Sequence, residues 1–157
     1  MTHSNTSGLT RRTLFAGGGV LAAGAAGGWW ISQRYTPPHD NTRLTVAEAF
    51  DQAASGQVLL VDIRTPAEWR RTGLPQGAVP LDMRRPDFTT ELLRLTGGVA
   101  DAPVALICAG GVRSARLSLR LTEAGFTQII DVPEGMFGSA AGPGWLNSKL
   151  PVTNWQG

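Results

Sequence analysis

Pro103-Val104-Ala105-Leu106-Ile107-Cys108-Ala109-Gly110-Gly111-Val112-Arg113-Ser114 carries the reading of the whole chain. Residues 103–108 are an unbroken apolar run, the pattern of a strand buried on both faces. Gly110 and Gly111 can adopt backbone angles closed to other residues, so the chain can curl there. The next segment, 113–124, is locally ambiguous. Leu117, Leu119 and Leu121 alternate as in a strand, while Leu117, Leu121 and Ala124 share a helical face. Its length and Gly125 at its end decide for a helix. In an open sheet built from such strand–loop–helix units, functional groups gather beyond the carboxyl ends of the strands. Cys108 stands at that point.

Working outward, residues 58–63 repeat the continuous apolar pattern and predict a second buried strand. Thr45-Val46-Ala47-Glu48 fits a capping box that opens a short helix, which Gly56 ends. Pro66 suits the first turn of a helix over 66–71. A short strand is expected at 78–81, a helix at 87–95 and a last strand at 129–132. Strands alternating with helices predict an α/β fold with a parallel sheet covered on both faces. The chain has 157 residues, enough for one domain, and no internal repeat is evident.

Cys108 is the one cysteine. An internal disulfide is therefore excluded, and the thiol itself needs a reason. A cysteine ending an apolar strand is by default inert packing. The glycine pair, the helix start and Arg113 argue otherwise. Loop N–H groups turned inward join the unpaired N–H groups and positive dipole end of the helix, and together they stabilise an anion, a thiolate on Cys108 included. Such a sulfur can attack a sulfur donor and hold the transferred atom as Cys–S–S⁻.

Here the sequence resembles the rhodanese family. Cys108, four residues and then Arg113 resemble its active loop, and Asp62-Ile63-Arg64 with Glu68-Trp69 resembles its Asp-x-Arg-x-x-x-Glu-aromatic stretch. Gly73-Leu74-Pro75-Gln76-Gly77-Ala78 is similar to its Gly-His-Ile-x-Gly-Ala stretch. Glu134-Gly135-Met136, Trp145 and Leu150-Pro151-Val152 are similar to its closing segment. The resemblance covers residues 43–157. It implies a rhodanese-like sheet of about five parallel strands with helices on both faces. It also implies a sulfurtransferase that moves a sulfane sulfur from thiosulfate, polysulfide or a protein persulfide to cyanide or a thiol, a protein thiol among them. Cys108 would be catalytic, with Ala109, Gly110, Gly111, Val112, Arg113 and Ser114 as the substrate-binding loop. Arg113 is expected to brace that loop through hydrogen bonds to its carbonyls, and Asp62 and Arg64 to support the sheet end. Glu68 and Trp69 read as capping and packing residues, Met136 as core.

Two departures stand out. Leu74 replaces a common His, and Ala109 stands where active thiosulfate sulfurtransferases often carry a basic residue, which lowers the pull on a dianion. Two rival readings exist. Cysteine phosphatases place five residues between cysteine and arginine where this loop has four. A non-catalytic rhodanese-like binding module of an exported or membrane-associated complex would need no cysteine.

Of the 14 basic residues, Arg11, Arg12 and Arg34 precede residue 36 and no acidic residue does, which leaves eleven basic against 12 acidic groups in the remainder. The pI of 9.3 is therefore a property of the leader, and nothing suggests a nucleic-acid partner. Arg11-Arg12 followed by the uncharged, Gly/Ala-rich run 14–31 resembles a twin-arginine export signal, so residues 1–31 are expected to be a signal or a membrane anchor. Residues 32–42, with Pro37-Pro38, read as a linker and 43–157 as the domain. The expected location is the periplasm, at the inner membrane where the leader is kept. His3 and His39 fall in leader and linker, so neither is expected to act as a base. No Cys/His set has ligand spacing, and neither a metal nor another cofactor is expected.

Overall fold

Val104-Ala105-Leu106-Ile107 offers no side chain that gains from water on either face, and all four residues are fully buried. They form the strand β4 (Val104–Ile107) at the heart of a parallel sheet. Its neighbours are β1 (Leu59–Asp62) and β5 (Ile129–Val132), with β3 (Val79–Pro80) beyond β1, giving the order β3-β1-β4-β5. The register sets Asp62 against Ile107 and Ile107 against Val132, so three strands end level, directly before Cys108.

The computed structural model describes Tyr35 and residues 38–157. Among these residues there are four helices, α1 (Val46–Ala54), α2 (Pro66–Thr72), α3 (Phe88–Leu95) and α4 (Val112–Glu123). One sheet face packs Val61, Ile63, Val104, Leu106, Cys108 and Ile129 under Phe88 and Leu92 of α3 and Leu117 and Leu121 of α4. The other packs Leu60, Ala105, Ile107 and Val132 against Val46 and Ala49 of α1, Met136 and Trp145. Phe50 meets Trp145 edge-on at 5.8 Å, an arrangement that favours the aromatic quadrupoles.

The expected elements appear within one or two residues of their predicted ends, and the Thr45 capping box is formed with Glu48. Segment 113–124 is helical, as its length and Gly125 imply. The strand count differs. The parallel sheet has four strands and not about five, because Arg43 makes only an isolated parallel bridge to Asp131. Thr42 and Leu44 flank that bridge through Asp131 N–H to Thr42 C=O and Leu44 N–H to Asp131 C=O. Thr45 then caps α1, so the chain has no room to extend a fifth strand. The structure adds a two-stranded antiparallel pair, β2 (Leu74–Pro75) with β6 (Val152–Thr153), which is too short to leave a periodic signal in the sequence. Leu74, in the place of the common His, is buried in it.

Among the described residues no helix is long and apolar enough to cross a membrane. The expected leader at 1–31 lies outside them. The end of the expected linker is packed against the domain: the His39 side chain is fully buried against Asp131. Leu106 lies in the apolar cluster with no exposed surface. Leu106→Ala should therefore destabilise the domain by about 2–5 kcal/mol, read from the denaturant midpoint.

Candidate functional site

Beyond Ile107 the chain leaves the sheet, and the level strand ends give it a flat platform. Cys108 comes at once, 1% exposed. Gly111 then turns the backbone with φ of 83°, a left-handed value that costs glycine little, and becomes the N-cap of α4. A Cβ at Gly111 would sit 2.1 Å from the Pro133 carbonyl oxygen. From the other side Gly135, with φ of 65°, meets the Ala109 carbonyl and Gly110 N–H at 2.7 Å from where its Cβ would be. Loop and facing turn thus approach closer than side chains allow.

This approach satisfies the loop carbonyls. Met136 N–H donates to Cys108 C=O at 2.9 Å, and Phe137 N–H to Ala109 C=O at 2.9 Å. Glu134, itself buried, fixes the turn by accepting from Val46 N–H at 3.1 Å and Gly144 N–H at 3.0 Å. The expectation for Arg113 is corrected here. Its guanidinium makes no bond to a loop carbonyl among the described residues, because the Glu68 carboxylate offers it a charged, two-pronged partner. It grips Glu68 instead, at 3.0 and 2.6 Å.

The sulfur has two partners. Gly111 N–H donates to Cys108 Sγ at 3.2 Å, and the thiol donates to Ser114 Oγ at 3.6 Å. Ser114 in turn donates to Gly111 C=O at 3.0 Å. An inert core cysteine requires no N–H aimed at its sulfur, and an N–H at that distance favours a sulfur anion. Of the expected loop residues, Gly111 and Ser114 contact the Cys108 sulfur and Arg113 turns to Glu68, while Ala109, Gly110 and Val112 supply the intervening backbone of the loop and helix start.

Asp62 and Arg64 lie at the end of β1, both fully buried. Arg64 Nε and Nη2 bind Asp62 at 2.6 to 3.0 Å, while Nη1 reaches Thr72 Oγ1 and Nη2 the Gly73 carbonyl, each at 2.8 Å. The pair ties the strand end to the end of α2 and does not contact Cys108. Glu68 does more than cap. It accepts from Thr65 N–H and Oγ1 in a second capping box and holds Arg113 with the same carboxylate. The Thr65-x-x-Glu68 spacing was the available signal. Among the described residues no three His, Cys, Asp or Glu side chains are grouped to hold a metal.

The family model of the rhodanese-like domain matches residues 45–141, well over half the chain. This chain belongs to the rhodanese-like family. A sulfurtransferase of Allochromatium vinosum is 29% identical over 105 residues, 67% of this chain and 87% of the relative. Two solved structures are also similar. A Rhodopseudomonas palustris protein of unknown function, described as a possible tyrosine phosphatase, is 25% identical with a TM-score of 0.54, covering 72% of this chain and 85% of that one. The polysulfide-sulfur transferase homodimer of Wolinella succinogenes is 22% identical with a TM-score of 0.56, covering 86% and 90%, and at that identity it supports the fold alone. The rhodanese-like assignment and a sulfurtransferase among the relatives agree with the loop at Cys108.

Two outcomes are expected of the rhodanese-like site. Burial pushes the Glu68 carboxyl up, but hydrogen bonds from Arg113 and from Thr65 N–H and hydroxyl outweigh it and hold the group at about 2, below its ordinary 4.5. A carboxyl lowered by folding stabilises the protein fully above its unfolded value, and this is lost as pH falls through the folded one. The melting temperature should decline between about pH 5 and pH 2, and Glu68→Gln should flatten that acid limb. Gly111→Ala should displace the loop and lower stability by about 1–3 kcal/mol for the unfavourable φ alone, checked by thermal melting.

Proposed function

We propose that the protein is a sulfurtransferase in which Cys108 accepts a sulfane sulfur as a persulfide and passes it to a thiophilic acceptor. The observation that carries this reading is the Gly111 N–H aimed at Cys108 Sγ at 3.2 Å, at the mouth of a helix whose positive dipole end faces the same atom. The thiolate attacks the outer sulfur of a donor such as thiosulfate or polysulfide. The S–S bond of the donor breaks, its remainder leaves as sulfite or a shorter polysulfide, and Cys–S–S⁻ remains. Cyanide or a thiolate then takes the terminal sulfur and restores the Cys108 thiolate. Cys108 is 1% exposed, which selects a slim donor reaching in with one terminal sulfur.

The phosphatase reading is weaker. Four residues separate Cys108 from Arg113, one fewer than a phosphate-encircling loop, and the Arg113 guanidinium is occupied by Glu68. The burial of Cys108 does favour one alternative, a binding module in which the cysteine only packs. As for place, we infer export by the twin-arginine route to the periplasm, from Arg11-Arg12 and the run 14–31, with the leader tethering the domain to the inner membrane where it is kept.

The test offers thiosulfate, polysulfide and an aryl phosphate to the same preparation and weighs the intact protein. A gain of one sulfur on wild-type protein, lost in Cys108→Ser at an unchanged melting temperature, is the expected result. Phosphate release without sulfur transfer would move the assignment to the phosphatase. No adduct with any donor would move it to the binding module.

A further inference from the structure

Asp131 lies on β5 two residues beyond Ile129, and strand alternation turns it to the sheet face that α4 covers. Ser114 and Ser118 are buried one turn apart on that helix. His39 Nε2 approaches Asp131 Oδ2 at 3.1 Å, with both side chains closed to solvent. Among the described residues, four buried side-chain polar atoms lack a partner. Three of them belong to these residues: Asp131 Oδ1, His39 Nδ1 and Ser118 Oγ. A buried carboxylate oxygen without a donor is costly, and natural cores rarely keep one without a use.

Ser114 explains why Oδ1 is left over. Its hydroxyl has one proton, which goes to the Gly111 carbonyl at 3.0 Å, while its oxygen accepts the Cys108 thiol at 3.6 Å. Ser114, buried on the face of α4 that covers β5, is among the groups that act on the Asp131 carboxyl. Burial pushes that carboxyl above the usual carboxylate range, against the pull of the neighbouring Ser114 hydroxyl, the His39 ring at 3.1 Å and the charge of Arg43, which draw it down. A cleft of about 190 Å³, bordered by Gly110, Asp131, Arg43 and Ser139, lies beside this corner.

We propose that Asp131, held by His39, is the positioning residue that takes the Cys108 proton through the Ser114 hydroxyl. The hydroxyl turns from the Gly111 carbonyl to Asp131 Oδ1 and gives up its proton there. It takes the thiol proton in exchange. One O–H and one S–H bond break, two O–H bonds form, and nothing is oxidised. The thiolate is left facing the Gly111 N–H, and the proton leaves Asp131 by way of the cleft. The groups acting on Asp131 are His39 and Arg43 from the segment before α1 and Ser114 from α4. Those acting on Cys108 are Gly111 N–H, Ser114, and Arg113 paired with Glu68. The proposal rests on the sulfurtransferase reading for what the thiolate is used for, but it can be tested apart from it.

The experiment tracks alkylation of Cys108 by iodoacetamide against pH, alongside sulfur loading from thiosulfate and polysulfide, in the full chain. Asp131→Asn and Ser114→Ala should slow alkylation by about a hundredfold near neutral pH, the gain expected of a positioned proton acceptor. The deficit should close at alkaline pH, where hydroxide removes the proton. Ser114→Thr, which keeps the hydroxyl, should retain the wild-type profile. An Asp131→Asn profile identical to wild type would overturn the proposal. So would a deficit that persists at every pH, which marks a packing role. Should Asp131→Asn fail to fold, the Ser114→Ala and Ser114→Thr pair decides by the same criterion. If the pH-dependent differences hold while no protein loads sulfur, the proton route stands and the sulfurtransferase reading falls.

Discussion

The close backbone contact between the Cys108 loop and the turn at 133–137 is the constraint on which the site depends. Gly111 presses on Pro133 and Gly135 on Ala109, with no space for a Cβ at either crossing. Because the two backbones approach this far, Met136 and Phe137 can donate to the loop carbonyls. With those carbonyls taken outward, the Gly111 N–H is left facing the sulfur. Nothing in this arrangement needs a side chain to reach across the loop, which explains why Arg113 is free to serve elsewhere. The sheet beneath supplies the flat end on which the loop stands, and Glu134 anchors the turn to the start of α1.

Charge near the site is arranged in closed pairs. Arg64 is matched by Asp62, Arg113 by Glu68, and Arg84 by Asp82, the last pair lying within electrostatic reach of Glu68 and Arg113. Matched pairs cast a weak field at a distance. In the proposed reaction this gives little steering of a free dianion, in keeping with Ala109 where a basic residue would strengthen it. Fit and the local N–H donor then matter more than long-range attraction. The buried Asp62–Arg64 pair is structural in its contacts. It spans Thr72 and the Gly73 carbonyl and so fixes the end of α2, where Glu68 is carried.

Much of this was legible in the sequence, for identifiable reasons. The apolar runs over 58–63 and 103–108 announced buried parallel strands, and the capping spacing at Thr45 placed α1. Cys108, the glycines and Ser114 lie within seven consecutive residues, so local pattern was enough to group them. Contacts between distant segments were not legible. The Arg113–Glu68 pair joins residues 45 apart, and His39–Asp131 joins residues 92 apart. His39 comes after two prolines, and local composition placed it in a linker, whereas tertiary packing brought its ring into the domain. The short β2–β6 pair was hidden because two residues cannot display a period.

The order of segments along the chain has a consequence for biosynthesis. Cys108 and its glycines emerge from the ribosome before the turn at 133–137 that clasps them, and before the β6 residues that pair with β2. A nascent chain halted short of that turn would display the cysteine on an unclasped loop, with its carbonyls bonded to water. The surroundings of the thiol are thus complete only when the domain is. An unfinished or proteolytically shortened chain would lose the clasp on the loop before it lost the cysteine.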